Sequence, residues 1–462
     1  MIKQRFFLTA FIAFLAAMTF AAQGAWAQID KPTFEDAIAA FNYGDNDLAL
    51  RHFSRLANEN DARAQYYYAY MLDAGLGTGQ NTSSASGWYK KSAMQDYLPA
   101  IVYLGYIYSI GHGLGKDEKE AFRWYTRGAQ MGDAIAQNNL ATMLQRGIPY
   151  KKDLPLAAQW FLQSAMQGNM RAQYNLATMY RLGDGIKKNP CEAMRWYKFA
   201  ANQGDMYAQN ALAYMYRMGE CVEQPDMEKS IEWLRRAAEQ GHNRSQMALA
   251  VLYEIGEAGD AYSLDDALPW YFRAANEGSD EKAMYRLGWL YERGPDAKTG
   301  RGLPVDEKEA YKWYQKAADV NYGPAVFAIG NFYYEGKGGV KPDPRKGREF
   351  FTRAANMSDP LAMARLADIN KRGLPPLTRP NKVEAMVWYE LAKRELAKRS
   401  DTDSEDMVAI QGRIVKEQLD LRRNMTASEL DQAERRVKSW YPVFRAKEDD
   451  RSKELYWDEG KK

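Results

Sequence analysis

Between Met170 and Gly204 apolar positions recur with a helical period in two short runs, each stopped by a glycine. Ala172, Leu176 and Tyr180 stand at i, i+4 and i+8 and form one stripe on a first helix. Gly183 closes that helix, because glycine takes the left-handed conformation at the residue after a helix without a Cβ penalty. Asp184-Gly185 then turns the chain. Asn189 suits an N-cap and Pro190 the first helical position, and Ala193, Trp196, Tyr197, Ala200 and Ala201 define a second helix that ends at Gly204. The predicted unit is a helical hairpin of about 35 residues, too small to bury its stripes without copies stacked on either side.

The copies are present. The aromatic pair of the second helix recurs as Trp88-Tyr89, Trp124-Tyr125, Trp160-Phe161, Trp196-Tyr197, Trp233-Leu234, Trp270-Tyr271, Trp313-Tyr314, Phe350-Phe351 and Trp388-Tyr389. Seven residues before each pair stands an N-cap type: Asn81, Asp117, Asp153, Asn189, Asp226, Ser263, Asp306, Asp343 and Asn381. Asp117 with Glu120 and Asp306 with Glu309 resemble capping boxes. A third marker, the glycine that closes the first helix, runs from Gly75 through Gly111, Gly147, Gly183, Gly219, Gly256, Gly294 and Gly336 to Gly373. Three independent markers in nine registers predict an all-α stack of hairpins.

The pattern Ala-x-Ala-x-x-x-Leu-Gly/Ala-x-x-Tyr-x-x-Gly, a Gly-rich turn, then Ala-x-x-Trp-Tyr-x-x-Ala-Ala-x-x-Gly resembles the Sel-one-like repeat (SLR), a relative of the tetratricopeptide repeat. The resemblance covers residues 62–393. It implies a right-handed TPR-like α-solenoid of about nine repeats, a non-catalytic adaptor that holds protein partners together, often in the bacterial envelope.

Around the repeats, residues 1–27 read as a signal peptide: Lys3 and Arg5 precede an apolar run from Phe6 to Phe20, and Ala25-Trp26-Ala27 offers small residues for cleavage after Ala27. A periplasmic or secreted protein with no membrane span after cleavage is expected. Cys191 begins one second helix and Cys221 lies in the next turn, so stacking places both near the same edge, and in an exported chain they can pair. That bridge would close a loop of about 30 residues and contribute roughly 3 to 4 kcal/mol. Residues 28–61 read as an N-terminal helical cap. Pro295 to Leu303 form a polar insertion between the two helices of one hairpin. A C-terminal helical cap is expected over 394–442, with Met407, Ile410 and Ile414 on one helix and Thr426 with Glu429 opening another. Residues 443–462 form a charged tail.

Composition narrows the chemistry. With 63 basic and 60 acidic residues there is no broad electrostatic case for nucleic acid. The three histidines, His52, His112 and His242, fall in different hairpins without partners at metal-ligand spacing, and read as surface residues. The glycine runs Gly75–Gly79 and Gly336–Gly339 sit in the turn register and lack the Gly-Lys-Ser/Thr of a phosphate loop. No cofactor and no metal are predicted.

A binding surface remains. In the tetratricopeptide-like arrangement, positions 5, 9 and 12 of each first helix, with the leucine as position 7, face a groove. There stand Tyr66, Tyr70, Tyr106, Tyr174, Arg181, Tyr214, Arg217, Glu254, Tyr285, Trp289, Glu292, Phe327 and Tyr334, with Asp73, Val102, Asn138, Thr142, Gln145, Asn210, Met247 and Asn331 in the same registers. Aromatics and arginine dominate interface energies, so a protein partner in the envelope is the first expectation. A cell-wall or exported glycan stacked on the aromatics is the alternative. A lumenal eukaryotic adaptor is a third, since Asn81-Thr82-Ser83 and Asn424-Met425-Thr426 are glycosylation acceptors. The stacking register predicts a large loss of stability for Trp196→Ala and a small one for Trp289→Ala.

Overall fold

The computed structural model describes residues 32–259, 262–295, 302–374, 378–398 and 405–442. Residues 1–27, read above as a signal peptide, most of the 295–303 insertion and the charged stretch 443–462 lie outside the described residues. The described chain is an all-α solenoid of paired helices in two compact units, divided between Ala193 and Met194 inside the helix Pro190–Asn202.

The first unit opens with a short hairpin, Phe34–Tyr43 and Asn46–Asn58, whose Phe53 packs with Ala37, Ala49 and Met71. Thr33 and Asp36 close a capping box at its start. Three full repeats follow: Ala62–Ala74 with Thr82–Met94, Leu98–Ile110 with Glu118–Gln130, and Ala134–Arg146 with Leu154–Met166; Met170–Leu182 then opens the next. The second unit holds Met206–Met218 with Met227–Glu239, Asn243–Glu254 with Leu264–Asn276, Glu281–Arg293 with Glu307–Asp319, Gly323–Glu335 with Pro344–Asn356, and Pro360–Arg372 with Lys382–Leu396. Two further helices, Glu405–Arg423 and Ala427–Ser439, pack against Lys382–Leu396, Ala427–Ser439 opening on a Thr426–Glu429 capping box. Within each unit helices contact chiefly their sequence neighbours, as in a one-dimensional stack.

The caps work as their side chains allow. Asn81, Asp153, Asp226, Asp343 and Asn381 each accept from a first-turn amide of the second helix, and Asn189 accepts from the amides of Cys191 and Glu192. The two expected boxes at Asp117 and Asp306 are only half formed. Both aspartates accept first-turn amides, but Glu120 turns to the Trp124 indole at 3.1 Å and Glu309 pairs with Lys312. At these helix starts a nearby indole or ammonium competes with the N-cap amide for the carboxylate.

The core is built on the second aromatic of each pair. Tyr89, Tyr125, Phe161, Tyr197, Tyr271, Tyr314, Phe351 and Tyr389 are essentially fully buried. The preceding tryptophan varies: Trp88, Trp160, Trp196 and Trp270 are half-buried, whereas Trp124, Trp233 and Trp313 are buried as well. At this pair the prominence expected for Trp196 belongs to its neighbour Tyr197, which leaves the helix about 100° away and is the one fully enclosed by the stack. Where the facing first helix carries glycine, the ring fills the missing Cβ volume. An ideal Cβ on Gly288 would stand 2.7 Å from the Tyr314 ring.

A polar clasp that periodicity did not reveal joins successive hairpins. Gln65, Gln137, Gln173, Gln209 and Gln246 are buried, and each donates from Nε2 to a carbonyl eight residues back, at Ala57, Ala129, Ala165, Ala201 and Ala238, over 3.1–3.3 Å. These carbonyls lie in the last turn of the preceding helix, where each accepts the backbone amide three residues on and has a second lone pair for the glutamine. Gln95, Gln167 and Gln240 complete the clasp by donating to Gln65, Gln137 and Gln209 at 2.8 Å.

Candidate functional site

The first helices place the expected groove residues in three kinds of surroundings. In the first unit Tyr70 is 42% exposed, with its ring against Phe41. Tyr66 is half-buried among Tyr67, Tyr89 and Tyr97, and burial pushes its phenol up to about 12, so it stays a neutral donor. Tyr106 leans on Tyr103, while Tyr174 is buried, as are Val102, Asn138 and Thr142. The middle of this unit is closed by packing: Asn175 donates to Asn138 at 3.3 Å and Asn138 to Asn139 at 3.2 Å, and these short side chains let neighbouring helices approach. Tyr174 therefore belongs to the packing, not to an open surface. Arg181 is half-buried.

Asp73 is nearly enclosed and accepts from the Tyr103 hydroxyl at 2.9 Å, with His112 Nε2 at 2.7 Å from its other oxygen. His112 is thus no plain surface histidine. Nor is His242, which is buried and caps the helix Asn243–Glu254 by accepting from Ser245 N at 3.2 Å. Burial, with Arg244 adding to it, lowers its pKa to about 4, so its ring is neutral and free to accept.

The second unit carries the more open face. Tyr214 is 45% exposed and Arg217 pairs with Glu257 at 2.8 Å. Glu254 accepts from the Tyr271 hydroxyl at 2.6 Å and from Arg286 Nε at 2.9 Å. The Arg286 guanidinium lies 4.0 Å above the Trp289 ring, and Arg293 approaches the same indole at 4.8 Å. Glu292 accepts from the Tyr314 hydroxyl at 2.9 Å and meets Lys337 at 3.5 Å; Lys337 also reaches Glu335 at 3.0 Å, and Arg365 pairs with Glu335 at 3.4 Å over the Tyr334 ring. Tyr285 packs between Tyr314 and Tyr322, and Phe327 against Phe351. Charges alternate in sign along this face, and half-buried aromatics lie between them.

Arg286, Lys337, Glu335 and Arg365 escaped the sequence reading, because they stand outside registers 5, 9 and 12. One signal marks three of them: Glu254 and Arg286 are 32 residues apart, and Glu335 and Arg365 are 30 apart, close to one repeat. Among the described residues no cluster of His, Cys, Asp or Glu could hold a metal, and no helix is long and apolar enough to cross a membrane. Neither cysteine is free.

Comparison with known proteins identifies the repeat from which both units are built. The Sel1 repeat matches nine consecutive segments, 62–97, 98–133, 134–169, 171–205, 207–242, 243–279, 281–322, 323–359 and 360–395. The structure resembles c5321, a protective antigen of uropathogenic Escherichia coli with an SLR fold, at a TM-score of 0.67 and 26% identity over 87% of this chain and 84% of that one. A Sel1 repeat protein of Oxalobacter formigenes is 28% identical, covering 52% of this chain and 94% of its own, at a TM-score of 0.48. Chitin synthase regulatory factor 2 of Schizosaccharomyces pombe is 32% identical over 114 residues, 25% of this chain but only 21% of that protein. Proteins built from these repeats generally mediate protein–protein interactions and are generally non-catalytic. With nine matched repeats in a stack of the same fold, the chain belongs to the Sel1 repeat family.

Proposed function

We propose that the protein is an exported scaffold of the bacterial cell envelope, and that it holds a protein partner on the first-helix face of its second unit. One observation carries the choice of face: Trp289 is held between the guanidinium groups of Arg286 and Arg293, on a surface that also presents Tyr214 and Arg217. Tryptophan, tyrosine and arginine are the residue types that anchor interfaces, and the alternating charges would set the register of a partner with the complementary order. Two features support export: the charged and apolar leader of residues 1–27, and the absence of any free thiol, since disulfides persist in oxidising compartments.

The test is photo-crosslinking in intact cells, with the reactive residue at Tyr214 or Trp289 and a control at Lys312 on a second helix. A discrete protein adduct at the first two positions and none at the third is expected. Sugar adducts would favour the glycan reading, and no adduct at either position would remove this face from consideration.

A further inference from the structure

A second surface lies on the other kind of helix, in the first unit. The helix Glu118–Gln130 is flanked by two shallow depressions of about 570 and 490 Å³ that share Arg123, Trp124 and Arg127. One lobe is walled by Phe122 and Tyr150, whose rings meet edge to face at 5.1 Å, and Tyr150 is 54% exposed. The other is walled by Met94, 66% exposed. The acidic groups lining these lobes are already engaged. Asp117 caps the helix, and Glu120 accepts from the Trp124 indole and meets Arg123 at 3.4 Å. Of the lining cations Lys90, Lys119, Arg123 and Arg127, Arg123 meets Glu120 and Arg127 pairs with Asp96 beside the depression, and the four still outnumber the two lining carboxylates, so the depression is apolar at its floor and positive at its rim.

The complementary chemistry occurs in this chain itself. Glu454-Leu455-Tyr456-Trp457-Asp458-Glu459 sets three carboxylates around a leucine and two aromatics. We propose that this segment of one copy seats in the depression around Trp124 of a second copy, so that the protein associates with itself head to tail. Aromatic side chains would enter the two lobes and carboxylates would meet the lysine and arginine rim; the contact is heterologous, each copy offering one donor segment and one acceptor surface.

Sedimentation velocity on the full chain tests this. The wild-type average mass should rise with protein concentration and fall back in high salt. The acceptor variant Lys119→Glu/Arg123→Glu and the segment variant Asp458→Lys/Glu459→Lys should each weaken self-association by about tenfold or more. The acceptor variant keeps its segment and the segment variant keeps its depression, so mixing the two should restore association, now limited to a heterodimer. Circular dichroism melts matching wild type would establish that both variants are folded. A wild-type chain that stays monomeric, association unchanged in either variant, or a mixture that fails to pair would each overturn the proposal.

Discussion

The hydroxyl of Tyr314, on a second helix, donates to Glu292 on the first helix of the same hairpin at 2.9 Å, while the Tyr314 ring fills the space above Gly288. Core and first-helix face meet in this pair. Tyr271 with Glu254 repeats the arrangement one hairpin earlier. In both, burial and the neighbouring carboxylate raise the phenol above its ordinary range and keep it a donor at any pH the protein meets. The carboxylates of the face are oriented by the core beneath them.

Tyr314→Phe should keep the packing and lose one charge-assisted hydrogen bond, at about 1.5 to 3 kcal/mol. Tyr314→Ala should lose about 3 to 5 kcal/mol. Trp196→Ala should cost clearly less than Tyr197→Ala, since only the tyrosine is fully buried. Urea midpoints of the four variants check this order, and equal losses at 196 and 197 would refute the assignment of the core register.

Glycine-to-alanine changes should have opposite signs at two helical sites. Alanine at an open helical position normally gains about 0.8 to 1 kcal/mol, and Gly87 has nothing within 4 Å of an added Cβ. At Gly288 the added carbon would meet the Tyr314 ring at 2.7 Å, and the displacement should cost about 1 to 3 kcal/mol, overriding the propensity gain. Thermal melts of Gly87→Ala and Gly288→Ala, rising and falling respectively, are the expected result.

His242 should make the second unit acid-sensitive. Its pKa is about 4 in the folded chain against about 6.5 unfolded, so between those values the unfolded state binds more protons and stability falls as the pH is lowered. Above 6.5 the effect is absent; by pH 4 the loss is on the order of 3 kcal/mol. Other repeats place aspartate at the same cap, as Asp205 does. The difference in urea midpoint between wild type and His242→Asp, followed from pH 7 to pH 4, should grow on acidification; a constant difference would contradict the buried, neutral ring.

Trp289→Ala should separate binding from folding. The two cation–π contacts contribute roughly 1 to 2 kcal/mol in total, less than a core tyrosine, yet the crosslinked partner should be lost. A stability loss as large as that of Tyr314→Ala, with binding intact, would show that the indole serves the core.

The hairpin register was legible without coordinates because caps, closing glycines and the paired aromatics are local signals, each acting within a turn or two of helix. The cap residues stand where their side chains predict, and the resemblance to the repeat family agrees with the matched segments. The surroundings of the expected groove residues were only partly legible. Tyr70, Tyr214 and Trp289 remain accessible, but Tyr174 is packed in, and the cations that organise the face were overlooked. Register tells which way a side chain leaves its helix; it does not tell how closely the next helix approaches.

By itself, then, the sequence determined the number of hairpins, their boundaries and the all-α class, since each depends on residues near one another in the chain. Tertiary structure alone decided that Tyr197 rather than Trp196 is fully enclosed, that Asp73 holds Tyr103 and His112, and that Glu254 is spent on Tyr271 and Arg286. These are contacts between side chains about half a repeat to a full repeat apart, and their partners are set by the spacing of stacked helices, which no local pattern records.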